Sequence, residues 1–376
     1  MKICYLSSAR IPDDWGHVLQ IMQMCEAFAQ NGHEVTLLVP RRGKTLKQDP
    51  YAYAGVAPIF KIQRLVCIDF FPGTTSLFFY VLRTLSFYLS VKFYLLRQSF
   101  DLFYTREPLV TLFIFGCVYE IHSPPKDSSR TRRALLRTRG LVALTSSIKN
   151  ILVQRGYPED RIIVEHDAVK AEKFQTGYTK TQARTKCAIP EDQYVIGYVG
   201  TLKTMGMEKG VACTIRALLE LPDNVHFWVV GGEANDIAEY AKLATDLGVH
   251  DRVHLVGKVP HAQVSEYLAA FDVVVAPFPD FEHYRLYMSP LKIFEYMVAK
   301  VPMVVSDLPS LRDVLDERTA VLIPPAGEHA LATAIQEFQA NPSRAANIAN
   351  AAYELVISHY SWRARAERIM SFANSL

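Results

Sequence analysis

Short apolar, β-branched runs alternate with helical patterns along most of the chain. A first set of runs lies at 2–7, 34–39, 101–105, 117–121, 140–145 and 161–165. A second set lies at 194–199, 225–230, 253–256, 273–276, 301–305 and 319–323. Helical patterns such as 17–30 and 262–270 separate many of these runs. The alternation predicts α/β architecture with parallel sheets covered on both faces, and the two sets predict two doubly wound domains.

A polar segment at 171–190 interrupts the periodicity between the two sets. We interpret it as a linker, which predicts a first domain over 1–175 and a second over 190–358, with a wholly helical end from about 328. In doubly wound sheets, ligands bind beyond the carboxyl ends of the strands. The residues that follow each strand are therefore the candidates for a functional site.

The window 76–96 is the most apolar part of the chain, but Arg83 and Lys92 interrupt it, so it is not a clean membrane span. As a helix it places polar residues on one side, Arg83, Ser86, Ser90 and Arg97, and an apolar stripe on another, Phe78, Leu82, Leu85, Leu89, Phe93 and Leu96. Either it is a helix of the domain packed on a sheet, or the helix also contacts a bilayer surface. The segment 126–139 holds six basic residues and one acidic residue, and is either a solvated loop or a contact for anionic lipid.

The composition is that of a globular protein and does not indicate a nucleic-acid-binding protein. Half of the 376 residues are hydrophobic and 21% are charged, which is typical of a globular chain. The net charge of +3 is too small to indicate a nucleic-acid partner. The six cysteines lack C-x-x-C spacing and are expected to be thiols of a reducing compartment. Met1 leads directly into the first strand without a signal peptide, so we expect a cytoplasmic protein, at the inner face of the membrane if it makes a peripheral contact.

The segment 288–295, M-S-P-L-K-I-F-E, follows the run at 273–276 and its loop. Ser289 is a favourable helix N-cap and Pro290 suits the first helical position. A helix that starts there presents N–H groups and a positive dipole end to an anion. Lys292 opposes the dipole in the first turn, which favours a bound anion, and Glu295 lies where a carboxylate could accept hydrogen bonds from a ribose diol. The alternative is an ordinary capped helix with a solvated lysine and glutamate.

Two further turns follow strands of the second domain. In the first, Gly197 and Gly200 permit close backbone approach, and Lys203 and Lys209 border a loop that would suit a diphosphate. The loop is neither a Walker A motif nor G-x-G-x-x-G. In the second, at 255–260, the backbone of Lys258 and Val259 could read a base edge, or the turn could simply connect a strand to a helix.

Two residues of the first domain occupy comparable positions. Gly16 stands where the chain turns from the first strand into the first helix, and His17 after it is interpreted as a residue of the helix start. His122 ends the run C-V-Y-E-I-H, so we expect it at the carboxyl edge of the sheet rather than in the core.

Several motifs occur in order over nearly the whole chain: N-G-H-E-V-T-L-L-V-P, Y-T-R-E-P, Y-E-I-H-S-P, L-T-S-S-I-K, G-Y-V-G-T-L with E-K-G-V, V-G-G, S-P-L-K-I-F-E-Y-M and S-W-R-A-R-A-E-R-I. Because these motifs occur in this order, the sequence resembles the retaining glycosyltransferases of family 4. The resemblance implies the GT-B fold, in which two Rossmann-like domains face a cleft and the second binds the nucleotide sugar. It also implies that the last helix, about 360–376, packs back on the first domain.

The resemblance assigns roles to individual residues. Lys209 would neutralise the diphosphate and Glu295 would bind the ribose hydroxyls. The backbone around Ser289–Leu291 would cradle phosphate. His122 would lie beside the transferred sugar, and Gly16 would let the first loop approach the diphosphate.

Two positions depart from the family pattern. The family often has Glu-x7-Glu, whose first glutamate contacts the sugar, but this chain has Tyr287 there, so Asp280 or Glu282 is a candidate replacement. An arginine often follows the glycine at position 200, but here Thr201 follows, so Lys203 is a candidate source of the charge.

The expected function is transfer of a sugar from a nucleoside diphosphate sugar to a saccharide or lipid-linked acceptor, with retention at the anomeric carbon. His122, Lys209 and Glu295 are the candidate catalytic residues. No cofactor or metal is expected, because no metal-ligand cluster is visible and lysines could stabilise the departing diphosphate. The alternatives are a GT-B nucleotide-sugar epimerase and a non-catalytic nucleotide-sugar-binding protein.

Overall fold

The computed structural model describes residues 1–13, 16–42, 48–69, 77–175 and 177–376. The chain forms two compact units. The first comprises Met1–Glu165 together with Trp362–Leu376, and the second comprises His166–Ser361. The last helix is therefore part of the first unit.

The strands of the two units follow one another in chain order. They are β1 (Lys2–Leu6), β2 (Glu34–Arg41), β3 (Lys61–Val66), β4 (Leu102–Thr105), β5 (Val118–Ile121), β6 (Gly140–Ala143), β7 (Ile162–Val164), β8 (Tyr194–Val199), β9 (Lys203–Thr204), β10 (Met207–Glu208), β11 (Val225–Val230), β12 (Val253–Gly257), β13 (Val273–Ala276), β14 (Met303–Ser306) and β15 (Val321–Ile323).

Helices connect most of these strands. They are α1 (Gly16–Gln30), α2 (Pro50–Ala54), α3 (Leu77–Leu95), α4 (Val110–Phe113), α5 (Ser129–Leu136), α6 (Ser146–Gln154), α7 (Lys180–Cys187), α8 (Val211–Ala217), α9 (Ala234–Asp246), α10 (His261–Ala270), α11 (Leu291–Val298), α12 (Pro309–Arg312), α13 (Glu328–Ala340), α14 (Pro342–His359) and α15 (Trp362–Ser375). A short π-helix, His283–Tyr287, precedes α11.

The first unit is built on a parallel sheet in the order β3-β2-β1-β4-β5-β6-β7. Each predicted run of this unit contains one strand. Only β3, with the sequence K-I-Q-R-L-V, was not predicted, because as an edge strand it keeps charged residues and is largely accessible.

The second unit is built on a parallel sheet in the order β12-β11-β8-β13-β14-β15. Its two faces carry separate cores, one around Trp228 and Phe294 and the other around Phe227 and Val304. The strand order reverses between β8 and β13, which is where doubly wound sheets bind ligands. The predicted class of two doubly wound parallel-sheet α/β domains is confirmed.

The predicted linker is in fact ordered structure of the second unit. The segment 171–190 contains α7, whose Thr179 and Gln182 form a reciprocal capping box. The guanidinium of Arg184 is buried and bonds Asp272 at 2.6 Å and the carbonyl of Ala270. The polar sequence therefore belongs to a helix anchored by its arginine, and the chain passes between the units earlier, at Glu165. Thr176 lies outside the described residues.

Helix α3 packs on the sheet of the first unit, as the simpler of its two predictions has it, but not through its apolar stripe. Its serine side faces the protein, where the Ser86 hydroxyl accepts from the Ile68 amide at 2.9 Å and the Ser90 hydroxyl donates to the Val66 carbonyl at 2.6 Å. The predicted stripe faces outward, with Phe78, Leu85, Leu89, Phe93 and Leu96 between 55% and 72% exposed. Phe87, Tyr88 and Val91 of α3 are buried in a core that includes Cys4 and Leu6 of β1, so the helix packs on the sheet through these residues and leaves the stripe outside. Ser76 lies outside the described residues.

None of the helices in the described part of the chain has the length and apolar character needed to cross a bilayer. All six cysteines are free thiols, and Cys4, Cys25, Cys117 and Cys213 are buried.

Candidate functional site

The loop after β8 brings Lys209 to the point where the strand order reverses. Strands β9 and β10 form a small antiparallel hairpin, closed by Met205 and Gly206, which both have positive φ. Beyond the hairpin, the Lys209 ammonium donates to the Thr201 hydroxyl at 2.7 Å. Burial lowers the pKa of Lys209 to about 8. The side chain is thus cationic at neutral pH and held directly beside the end of β8.

Gly210 allows this loop to pass close to the end of β13. It has φ of +93°, and a Cβ there would lie 2.3 Å from the Pro277 carbonyl oxygen. Gly200 has φ of +123° and its missing Cβ leaves room next to Lys292, whose Nζ would lie 3.5 Å from such an atom. Both glycines are required by backbone conformation, and together they bring the loops after β8 and β13 side by side.

Helix α11 starts one residue later than predicted. It begins at Leu291, Pro290 takes the N-cap position, and no side chain caps the helix. The Ser289 hydroxyl instead accepts from the Asp167 amide at 2.8 Å, so the predicted capping role of Ser289 is wrong. The serine is used to hold the start of the second unit, which leaves the first turn of α11 without a side-chain cap.

The side chains of α11 are mostly buried, and Glu295 is an exception. Lys292 is 8% exposed, whereas Glu295 is half-buried on the accessible side of the helix. The Tyr296 hydroxyl accepts from the Val199 amide at 3.0 Å, which fixes α11 to the end of β8. The arrangement places the Glu295 carboxylate and the side chains of Lys209 and Lys292 around one strand switch point. The contribution of Tyr296 was not foreseen, because the sequence gives no signal for which strand its hydroxyl would reach.

Three other residues were predicted to bind the nucleotide sugar, and the two lysines among them are paired with carboxylates. The Lys203 ammonium lies 2.5 Å from Glu239 and 3.6 Å from Asp236. The exposed Lys258 ammonium lies 2.6 Å from Glu233. Val259 is half-buried and packs against the core of the second unit. The roles predicted for these three residues remain predictions.

The two candidates to replace the missing glutamate at 287 are also engaged. Asp280 accepts from Arg285 at 3.0 Å, and Glu282 accepts from the Tyr287 hydroxyl at 2.5 Å. His283, which the sequence analysis did not single out, lies in the same π-helix, where burial and the nearby charge of Lys209 lower its pKa. Its placement next to Lys209 depends on the fold and has no local sequence signal.

In the first unit, His122 belongs to a buried polar network. Its Nε2 lies 2.7 Å from a carboxylate oxygen of Glu120, which is itself fully buried. Glu120 also accepts from Arg365 of α15 at 3.2 Å and from Tyr104 and Gln20. Burial opposes ionisation of Glu120, but Arg365, His122 and Arg106 together hold its pKa well below the usual value. The network therefore keeps the buried Glu120 side chain ionised.

This network fixes the protonation of His122. Burial and the charge of Arg106 lower the pKa of His122 to about 4, so the ring is neutral at neutral pH. Because Glu120 is a carboxylate, the Nε2 atom must carry the proton that it donates, which leaves Nδ1 as an acceptor. His122 is thus suited to accept a hydroxyl hydrogen bond rather than to act as a cation.

A second carboxylate lies at the carboxyl ends of the neighbouring strands β1 and β4. Glu107 accepts from the Ser7 hydroxyl at 2.9 Å, from the Ser8 amide, and from Tyr88 of α3 at 3.2 Å. The sequence analysis did not identify it. Gly16 is the first residue of α1, and no atom lies within 4 Å of where its Cβ would be.

Within the described residues, no group of three or more histidine, cysteine, aspartate or glutamate side chains is arranged to hold a metal ion. The expectation of a reaction without metal or other cofactor remains a prediction.

Comparisons with known proteins agree on one family. Residues 16–173 match the sequence model described as Glycosyltransferase Family 4, and residues 193–341 match the one described as Glycosyl transferases group 1. D-inositol 3-phosphate glycosyltransferase 1 of Catenulispora acidiphila is 26% identical over 41% of this chain and 39% of its own length. Alpha-D-kanosaminyltransferase of Streptomyces kanamyceticus is 24% identical over 48% of this chain and 45% of its own length. The chain thus matches less than half the length of these relatives.

Solved structures of the same fold align along the full chain. Sucrose-phosphate synthase of Thermosynechococcus elongatus has a TM-score of 0.78 at 21% identity, covering 100% of this chain and 98% of that one. Anabaena HepE in complex with UDP has a TM-score of 0.76 at 17% identity, covering 100% of both chains. The fold is GT-B. With one family model on each of its two sheets, the chain belongs to glycosyltransferase family 4.

Proposed function

We propose that the protein transfers a sugar from a nucleoside diphosphate sugar to a saccharide or lipid-linked acceptor, with retention at the anomeric carbon. The main support is the strand switch point of the second unit, where Lys209 is tied to Thr201 and the half-buried carboxylate of Glu295 lies on α11. A cation for phosphate and a carboxylate for the ribose diol are the groups that a nucleoside diphosphate requires. That relatives of the same family and fold are named as glycosyltransferases, and that HepE was solved with UDP, supports the proposal.

The chemical step in this proposal is stabilisation of the leaving group. As the sugar leaves, negative charge builds on the diphosphate, and the Lys209 ammonium and the first turn of α11 lower its energy. No pair of carboxylates with an evident nucleophile position emerged from the sequence, so we favour front-face substitution over a covalent glycosyl-enzyme intermediate. In the first unit, neutral His122 with a free Nδ1 acceptor would orient a hydroxyl of the transferred sugar.

Transfer can be tested with a panel of nucleoside diphosphate sugars and candidate acceptors. Product formation with the same anomeric configuration as the donor, read by proton NMR, is the expected result. Inverted product would refute retention alone. Conversion of the donor sugar without acceptor would favour the epimerase alternative, and donor binding without transfer or hydrolysis would favour a non-catalytic binding protein.

A peripheral membrane contact is the second part of the proposal. Two further exposed aromatic residues lie on the same unit. Phe113 stacks on Tyr88 of α3 with 5.2 Å between ring centroids, and Phe115 lies 5.1 Å from the Arg137 guanidinium. Arg137 directly follows α5, whose arginines Arg130, Arg132 and Arg133 are all exposed. An exposed apolar helix face next to a cationic helix is the combination that binds anionic lipid surfaces. Such a contact would place the protein at the inner face of the membrane, next to lipid-linked acceptors.

Replacing Leu89 and Phe93 by serine is expected to abolish binding to vesicles that contain anionic phospholipid. Both side chains are exposed in the stripe, so the change removes apolar area from a bilayer contact without opening the core. Flotation with and without anionic lipid measures it, and added salt should weaken binding of the unaltered protein. Leu219→Ser in the second unit, where the leucine is as exposed as Leu89, is the matched control. Equal flotation of both variants would rule out α3 as the contact.

A further inference from the structure

Lys292 is a buried lysine whose ammonium lacks an internal partner. Its side chain is 8% exposed, and within the described residues its Nζ has no hydrogen-bond partner. Lysine is rarely this buried unless paired, because its charge loses hydration that apolar groups do not replace.

The surroundings of Nζ are aromatic and open toward one point of the backbone. The atom lies 3.6 Å from the centroid of the Tyr198 ring and 5.7 Å from that of Phe278. Gly200 lies directly against it, and a Cβ at that position would lie 3.4 Å from Cε. A side chain at 200 would lie against the ammonium, whereas glycine leaves that space beside the end of β8 without a side chain of its own.

Burial and the neighbouring charges disfavour the protonated form of Lys292 in the empty protein. Burial and the charge of Lys209 lower the pKa of Lys292 well below its usual value, and Glu295 opposes this only in part. The Tyr198 hydroxyl donates to the Thr201 carbonyl, and burial raises its pKa, so it supplies no negative charge. An approaching anion would change this balance more than any internal group does.

The described part of the loop after β8 offers one lysine for a diphosphate that no carboxylate holds. The family pattern has arginine at position 201, but this chain has Thr201, which accepts from Lys209. Lys203, the other candidate, is held by Glu239 and Asp236. Among the described residues of this loop, Lys209 is thus the lysine without a carboxylate partner, and its charge also acts on Lys292.

We propose that Lys292 is the second cation of the diphosphate site and takes up a proton from solvent as the diphosphate enters beside Gly200. The proposal rests on the proposed function, since it specifies how the nucleotide donor is bound. The phosphate oxygens supply the hydrogen-bond partner that Nζ lacks, and the Tyr198 ring supports the new charge from the other side. When the diphosphate leaves, the proton returns to solvent.

The experiment is calorimetric titration with UDP, GDP and ADP, continued with the nucleotide that binds best. Titrations at neutral pH in two buffers of different ionisation enthalpy give the number of protons exchanged. For the unaltered protein we expect uptake of about one proton per nucleotide. Lys292→Met should lose most of this uptake and bind about 10- to 100-fold more weakly. Its melting temperature without ligand should rise, because an apolar chain of similar size replaces a desolvated amine. Weak binding therefore could not be explained by unfolding.

Two further variants make the interpretation specific. Lys300→Met is the matched control, since the Lys300 ammonium also lies over a tyrosine ring, Tyr353 at 4.1 Å, but past the far end of α11. It should bind nucleotide with unchanged affinity and proton uptake. Thr201→Arg combined with Lys292→Met should restore affinity without proton uptake, because arginine at this exposed position remains charged.

The outcomes separate the two proposals. If Lys292→Met binds nucleotide as tightly as the unaltered protein, or if the unaltered protein takes up no proton, the role of Lys292 is refuted while sugar transfer stands. If none of the three nucleotides binds the unaltered protein and no donor is used, both proposals fail together.

Discussion

Replacing Lys209 by alanine is expected to lower the affinity for a nucleoside diphosphate by about 100-fold, since charge-assisted hydrogen bonds to phosphate are among the strongest that a side chain makes. Lys209 is held by Thr201 at the strand switch point, so little reorganisation is needed before it contacts phosphate. Calorimetry with the nucleotide measures the effect. Lys242→Ala, which removes an exposed lysine of α9 paired with Asp246, is the control and should bind normally.

The pH dependence provides an independent check on Lys209. Its pKa of about 8 in the empty protein means that the binding-competent, protonated form dominates below that pH. The contribution of Lys209 to the affinity should therefore be nearly constant below pH 8 and fall as the pH rises above it, in addition to the fall in affinity that proton uptake by Lys292 causes around neutral pH. In the alanine variant this decline should be reduced to whatever other groups contribute.

Glu295→Ala tests the other half of the same site. A carboxylate that accepts from both ribose hydroxyls distinguishes the ribonucleotide from its 2′-deoxy analogue, so the variant should bind both with similar, weakened affinity. If Lys209→Ala and Glu295→Ala both bind like the unaltered protein, the assignment of the donor site to the β8–β13 switch point is wrong.

Arg365→Met is expected to destabilise the first unit by about 3–5 kcal/mol, the usual consequence of removing one partner from a buried ion pair. Both Arg365 and Glu120 are fully buried, and Arg365 also donates to the Glu165 carbonyl at 3.2 Å. Without the guanidinium, the Glu120 carboxylate loses the group that contributes most to its low pKa. Denaturant unfolding measures the loss.

The pH dependence and a second variant make this prediction specific. In Arg365→Met the pKa of Glu120 should rise, so the deficit should shrink as the pH falls and the carboxyl takes a proton. Combining Arg365→Met with Glu120→Gln should recover much of the stability. Arg363→Met is the matched control, since Arg363 lies on the same helix but makes an exposed bond to Asn31. A loss from Arg365→Met no larger than that of the control would contradict the importance of the ion pair.

The strands show how far local pattern carries a prediction. Every predicted run contains a strand, because buried parallel strands are apolar along their whole length and stand out from their surroundings. Strand β3 was missed, and α7 was taken for a linker, for the same reason. Edge strands and surface helices are polar, and their structure depends on partners such as Asp272 that lie far away in the sequence.

Helix α3 shows a limit of a different kind. Its periodicity correctly predicts a helix with one apolar side and one polar side. Periodicity does not indicate which side faces the protein. Here that side buries Phe87, Tyr88 and Val91 against the sheet, and Ser86 and Ser90 bond the backbone at the end of β3. The exposed apolar stripe that results is the physical reason to propose a membrane contact.

The donor site around Glu295 shows most clearly what the sequence determines and what the tertiary structure determines. The sequence by itself determined the family resemblance, the doubly wound architecture and the region of the donor site, because glycine, proline and lysine after strands are local signals. The tertiary structure decided that Ser289 bonds Asp167 instead of capping the helix, that Lys203 is paired, and that Lys292 is buried over Tyr198. Each of these facts depends on the charge, burial and partners of a side chain, which are set by residues brought close in space by the fold.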